Sequence, residues 1–166
     1  MIDFTKRHLI SDLKVIDKLN KQFELISGDK DNLTKIYLDK TNNQKWFSYY
    51  VDGYLQGGGY NIFSKLPVPT TQKLVEIALN SEFDDEVFAC CRTLTEKEQE
   101  EEFREILINR LELHSDKERT KKIIELTGLL SELNKREILG KSMKEIEKDA
   151  RYFKSISERA KSILTE

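Results

Sequence analysis

The chain has 166 residues, of which 35% are charged, and its 28 lysines and arginines nearly balance its 30 aspartates and glutamates. The formal net charge of −2 excludes the strong overall basicity of a protein that holds nucleic acid by its phosphates. This length predicts a single domain, residues 1–166, with a real hydrophobic core, and no apolar run is long enough to cross a bilayer.

The N-terminal segment has the hydrophobic spacing of a helix. Apolar residues recur there at steps of three and four, at Leu9, Leu13, Ile16, Leu19, Phe23 and Ile26. Because Gly28 then offers a helix stop, we expect one amphipathic helix within residues 1–28. Charged side chains among the first twelve positions are incompatible with a signal peptide, so we expect a cytoplasmic protein.

An aromatic and glycine-rich region follows. Eight of the fifteen aromatic residues lie between Tyr37 and Phe63, beside the consecutive glycines 57–59. Two β-favouring runs, residues 36–38 and 46–51, flank a polar turn and predict a small β-hairpin within residues 35–63. No Gly-Lys-Ser/Thr motif follows the glycines, so they indicate a backbone bend rather than a phosphate-binding loop.

Residues 70–166 are predicted to be helical. Two helices are expected over residues 70–94, the second beginning at Asp84, and hydroxyl-x-x-Glu capping boxes at Thr95, Ser115 and Ser142 predict three more helix starts. Gly128 falls within one of these predicted helices. The expected fold class is mainly α (α+β), an irregular bundle of about six helices with the small β-hairpin; a short α-solenoid is the alternative.

The chemistry-bearing residues do not form a catalytic pattern. His8 and His114 lie at the ends of different predicted helices, without an acidic or thiol partner at helical spacing. Cys90 and Cys91 are adjacent and would point about 100° apart on a helix, so at least one is expected to be a small buried residue. We therefore expect neither an enzyme nor a cofactor or metal.

The middle of the chain is acidic. Residues 82–105 carry ten acidic and three basic side chains. A solvated helix face explains this tract most simply, a partner-binding face is the second interpretation, and paired catalytic carboxylates are the least favoured. Tyrosine and tryptophan are enriched at binding hot spots. The candidate partner-binding residues are Trp46, Tyr49, Tyr50, Tyr54, Tyr60, Glu82, Asp84, Asp85, Glu86, Glu98, Glu100, Glu101 and Glu102.

Four segments carry a resemblance to a known family. They are Trp46–Tyr50, Gly57–Tyr60, the Pro69-Thr70 helix start with Leu74, and Phe83–Val87 followed by Leu94. In these segments the chain resembles the small bacterial immunity proteins of polymorphic or contact-dependent growth-inhibition toxin systems. The resemblance implies a non-enzymatic cytoplasmic protein that binds and neutralises the C-terminal domain of one cognate toxin, without a cofactor and without direct nucleic-acid or membrane binding. The acidic tract further suggests a basic toxin, such as a nuclease.

Two other classes of function stay open at the sequence level. An intracellular helical adaptor with a different protein partner would use the same surface features. A small hydrolase or nucleotide binder would instead respond to its ligand with a raised melting temperature. The sequence leaves open the oligomeric state and which hairpin face is exposed.

Overall fold

The computed structural model describes residues 4–165, which fold into a five-stranded antiparallel sheet and six helices. The chain divides into two compact units, Met1–Thr93 and Leu94–Glu166, here called unit 1 and unit 2. That both belong to a single domain stays a prediction.

Unit 1 contains the sheet. Its elements are β1 (Leu9–Ile10), α1 (Leu13–Gln22), β2 (Phe23–Asp29), β3 (Thr34–Asp39), β4 (Gln44–Val51), β5 (Tyr60–Lys65), α2 (Thr71–Asn80) and most of α3 (Asp84–Glu96). The remaining helices, in unit 2, are α4 (Arg104–Leu111), α5 (Lys117–Thr127) and α6 (Met143–Thr165).

The expected helical bundle with a small β-hairpin is wrong, because the strands form one sheet in the order β1-β5-β4-β3-β2. The hairpin is present as β3 and β4, but these are inner strands of an α+β fold. The N-terminal helix is shorter than predicted. Asp12 caps it and it ends at Gln22, with β1 before it and β2 after it in the chain. Its apolar spacing fits a helix locally, whereas β1 is fixed by pairing with the distant β5 and β2 by a hairpin with the neighbouring β3.

An aromatic core occupies one face of the sheet. Trp46 on β4 is fully buried and lies in edge contact with Phe4 and at a tilt to Phe23, at ring-centroid distances of 6.4 and 5.9 Å. Helix α1 contributes Ile16 and Leu19 to the same core. Burial of this many large apolar side chains supplies the main favourable term in the folding of unit 1.

Helix α3 packs on the opposite face. Residues separated by an odd number of positions point to opposite faces of a strand, so Tyr49 points away from the Trp46 core. Its hydroxyl lies 2.8 Å from the Thr93 hydroxyl, and the ring of Tyr60 meets that of Phe88 edge-on at 4.9 Å. The predicted helical pair over residues 70–94 is thus present as α2 and α3.

The first turn of α3 also holds strand β1. Glu86 is buried, and its Oε1 accepts hydrogen bonds from the backbone N–H groups of His8 and Leu9 at 2.5 and 2.8 Å. Its Oε2 accepts the Ser81 hydroxyl at 2.5 Å. Next to it, Asp85 accepts from the guanidinium of Arg7 at 2.8 Å. We call Asp85 and Glu86 the N-terminal clasp.

Unit 2 is built around a helical core. Apolar side chains from its three helices are buried together, including Leu107, Ile123 and Phe153. Gly128 does not lie inside a helix, as the sequence had suggested; it ends α5 in a left-handed conformation with φ 63°. That conformation is readily adopted only by glycine, which makes it a common helix terminator.

The three capping boxes have different outcomes. At Ser142 the box is formed, because Glu145 accepts from the Ser142 backbone N–H at 2.8 Å. Helix α5 does begin near Ser115, but Asp116 is its cap. The box at Thr95 does not start a helix, since α3 continues through that residue to Glu96.

Replacing Glu86 by alanine should lower the free energy of unfolding by about 3 kcal/mol, because two buried backbone donors lose their acceptor. Urea unfolding followed by circular dichroism measures this change. Glu82→Ala is the matched control: Glu82 is exposed, and its carboxylate lies 4.0 Å from the Lys6 ammonium, so about 0.5 kcal/mol or less is expected. Equal losses in the two variants would contradict the role of the clasp.

Candidate partner-binding surfaces

Part of the predicted acidic surface serves the fold itself. Asp85 and Glu86 form the clasp, as described above. Glu98 pairs with Arg104, which is only 2% exposed, through two contacts that include an Nη2 to Oε2 distance of 3.1 Å. A buried guanidinium requires such a partner, since an uncompensated buried charge is strongly destabilising. Each of these three carboxylates therefore has a partner within the chain.

Glu102 belongs to a second internal network. Its carboxylate accepts hydrogen bonds from the Tyr152 hydroxyl at 2.6 Å and from Arg136 at 2.7 Å. Arg136 also donates to Asp149 at 2.7 Å, and Lys141 donates to the same carboxylate. Burial opposes ionisation of Glu102, but the bonds from Tyr152 and Arg136 outweigh it, so the net effect lowers its pKa. The pKa of Asp149 is also lowered, by Lys141 and then by Arg136.

Five of the predicted acidic residues are exposed. Glu82 and Asp84 lie in unit 1, and Glu100, Glu101 and Glu102 lie in unit 2. The acidic side chains that are exposed are thus fewer than the sequence suggested, and they are divided between the two units.

The predicted aromatic residues also divide into two groups. Trp46 is fully buried, and its Nε1 has no hydrogen-bond partner among residues 4–165. Tyr49 is half-buried, and desolvation raises the pKa of its phenol. Trp46 thus belongs to the interior of unit 1, while Tyr49 contacts Thr93 of α3.

The other three tyrosines are exposed at one end of the sheet. Tyr50 is the last residue but one of β4, and Tyr60 is the first residue of β5. Tyr54 lies in the turn between these strands, with 81% of its surface exposed. Leu55, in the same turn, is 38% exposed. We call Tyr50, Tyr54, Leu55 and Tyr60 the tyrosine surface.

The turn that carries the tyrosine surface is held in place. The Tyr54 hydroxyl donates to Asp52 at 3.2 Å, and Asp52 in turn forms an ion pair with Arg92 of α3. Glycines 57–59 all have positive φ, and a Cβ at Gly59 would lie 2.1 Å from the Val51 carbonyl oxygen. The glycine run thus makes the close bend that returns the chain into β5, as the sequence indicated.

A second exposed surface lies in unit 2. Between α5 and the first turn of α6, large apolar side chains project into solvent, with Leu133, Ile138, Leu139 and Met143 between 57% and 87% exposed. We call these four residues the apolar loop surface.

Polar contacts hold the segment behind the apolar loop surface. Lys141 and Arg136 both bond to Asp149, each at 2.7 Å, and the Ser157 hydroxyl donates to the Leu130 carbonyl at 2.7 Å. An ordered segment with outward apolar side chains is typical of an interaction site. The sequence offered one signal for it: apolar residues remain dense in a stretch that lacks helical caps.

The titratable groups of the described residues offer little reactive chemistry. Both cysteines are fully buried, and burial raises the pKa of Cys90 well above its ordinary value. His8 borders an open cavity of about 430 Å³ with Lys65 and Lys73, and desolvation lowers its pKa. Within residues 4–165 no three His, Cys, Asp or Glu side chains are grouped so that they could hold a metal ion.

Comparisons with known proteins found no matching family, no matching curated protein and no matching solved structure. Across the described residues, no helix combines the length and the apolar character needed to traverse a membrane.

Because Glu102 and Asp149 form this network, the free energy of unfolding should fall when the pH becomes acid. Both pKa values are lower in the folded protein, so their stabilisation is present above the ordinary carboxyl range and is lost as pH falls through the lowered values. Arg136→Met should therefore flatten the fall in urea midpoint below about pH 5. The exposed Arg151 of α6 gives the control, Arg151→Met, which should keep the wild-type slope. Identical slopes for the wild type and both variants would contradict this assignment.

Proposed function

We propose that the protein is a cytoplasmic immunity protein that binds the C-terminal domain of one cognate bacterial toxin and neutralises it by direct contact. The observation that carries this proposal is the tyrosine surface. Tyr54 and Leu55 are exposed on a turn whose backbone is held by internal contacts, and Tyr50 and Tyr60 are exposed on the two strands that this turn joins. Rigid aromatic side chains supply contact area at low entropic cost and are frequent binding hot spots.

The resemblance to immunity proteins supports the same surface. Its segments Trp46–Tyr50 and Gly57–Tyr60 each end on an exposed tyrosine, while their other aromatic residues build the interior. Within these segments, the buried residues can position the sheet and the exposed tyrosines can contact the partner.

The exposed carboxylates extend the proposal to a basic toxin, such as a nuclease. Glu82 and Asp84 in unit 1, with Glu100 and Glu101 in unit 2, would attract a basic surface and speed association at low salt. Glu102 already bonds to Tyr152 and Arg136, so a charge-reversal test is confined to the other four exposed residues.

Affinity capture from the native bacterium, at low and raised salt, followed by mass spectrometry, identifies the partner. Co-expression then tests immunity: the protein should restore growth of cells that produce the captured toxin domain. A captured protein without toxicity would contradict the proposal.

Alanine at both Tyr50 and Tyr54 should weaken binding of the captured toxin domain roughly tenfold or more, because hot-spot tyrosines each contribute over about 1 kcal/mol. Isothermal titration calorimetry measures this loss. The control is Leu139→Ala in unit 2, where the side chain is similarly exposed at 87%. Unchanged affinity in the tyrosine variant, with matching melting temperatures, would remove the tyrosine surface from the interface.

An intracellular adaptor is the second candidate function, and the apolar loop surface favours it. An adaptor needs two contact areas, and the tyrosine surface lies in unit 1 while the apolar loop surface lies in unit 2. An adaptor should capture two partners, neither of them toxic. The variant with alanine at Tyr50 and Tyr54 should lose one partner, and Leu139→Ala should lose the other.

A further inference from the structure

Strand β2 forms one outer edge of the sheet. In the order β1-β5-β4-β3-β2 it pairs with β3, and within residues 4–165 it has no second neighbouring strand. An edge strand presents a row of backbone N–H and C=O groups to any further strand. β2 is seven residues long, which is enough for several additional ladder hydrogen bonds.

The side chains of β2 do little to protect this edge. Leu25 and Ile26 are 54% and 48% exposed, and the strand contains neither lysine nor proline, which commonly block edge pairing. Its only described irregularity is a register shift between Leu25 and Ser27. Glu24 is the one charged residue of β2 before its last residue, Asp29. The Glu24 carboxylate forms an ion pair with the Lys40 ammonium at 2.9 Å.

The charges around β2 indicate what would pair with it. Lys18 and Lys21, with Asp17, lie before the strand and carry a net charge of +1, whereas Asp29, Lys30 and Asp31 at its end carry −1, and all six side chains are exposed. In an antiparallel pair the start of one strand lies beside the end of the other. A second copy of this chain would therefore set its basic end against the acidic end twice, as a two-fold interface requires.

We propose that two copies of this chain associate through antiparallel pairing of their β2 strands, so that the two sheets become one continuous sheet. The register shift divides the edge into two short pairing runs. The association is therefore reversible and depends on protein concentration. This inference does not rest on the proposed function, since it concerns the purified chain alone.

Sedimentation equilibrium of the full chain, from micromolar to near-millimolar concentration, tests the dimer. The mass should rise from 19.5 kDa toward twice that value as concentration increases. Leu25→Lys with Ile26→Lys should weaken association roughly tenfold or more, because both exposed apolar side chains leave the interface. Ile138→Lys is the control, since Ile138 is 57% exposed but lies in unit 2.

A charge exchange tests the antiparallel orientation. Lys21→Glu alone should weaken the dimer, and the addition of Asp31→Lys should restore it, because attraction between the two ends returns. Amide hydrogen exchange provides a readout on the unmodified chain: protection of residues 24–28 should increase with concentration. A monomer mass at every concentration, concentration-independent exchange of β2, or a dimer lost in Ile138→Lys but retained in the β2 variant would each overturn the proposal.

Discussion

The carboxylate of Glu86 accepts two successive backbone N–H groups, those of His8 and Leu9, where the chain enters the sheet. Hydrogen bonds to a charged acceptor are worth more than neutral ones, and these two are shielded from water. A two-residue strand such as β1 forms few ladder bonds of its own, so its place beside β5 depends on this helix turn. The fold of unit 1 therefore rests on contact between residues nearly eighty positions apart.

That dependence explains which parts of the fold were predictable. The β3–β4 hairpin and the α2–α3 pair are decided by nearby residues, and both follow from strand-forming runs, turn residues and apolar stripes. Strand β1 exists because a distant strand, β5, pairs with it, whereas β2 forms a hairpin with the next strand, β3, that was not predicted. Their apolar residues continue the helical spacing of α1, so no local pattern separates strand from helix there.

The surface was harder to predict than the fold. The sequence alone does not distinguish acidic residues whose carboxylates face solvent from acidic residues that pair with basic side chains of the same chain. Glu98 and Glu102 meet Arg104 and Arg136, which lie at spacings that no helix pattern would pair. For the tyrosines, strand alternation correctly separated two faces, but which residues are exposed depends on the helices that pack there. The apolar loop surface arises because the segment before α6 is not helical.

The bend at Gly59 limits how this chain can vary. A Cβ there would overlap the Val51 carbonyl, and φ is +79°, so every other amino acid is excluded by both space and backbone conformation. Gly57 and Gly58 have open space beside them and are restricted by backbone conformation alone. Leu55, on the same turn, is exposed and open to substitution, whereas Tyr54 also donates a hydrogen bond to Asp52. Inherited substitutions in this turn should therefore occur at its exposed side chains, while Gly59 stays unchanged. The specificity of contact could then differ between lineages although the backbone stays the same.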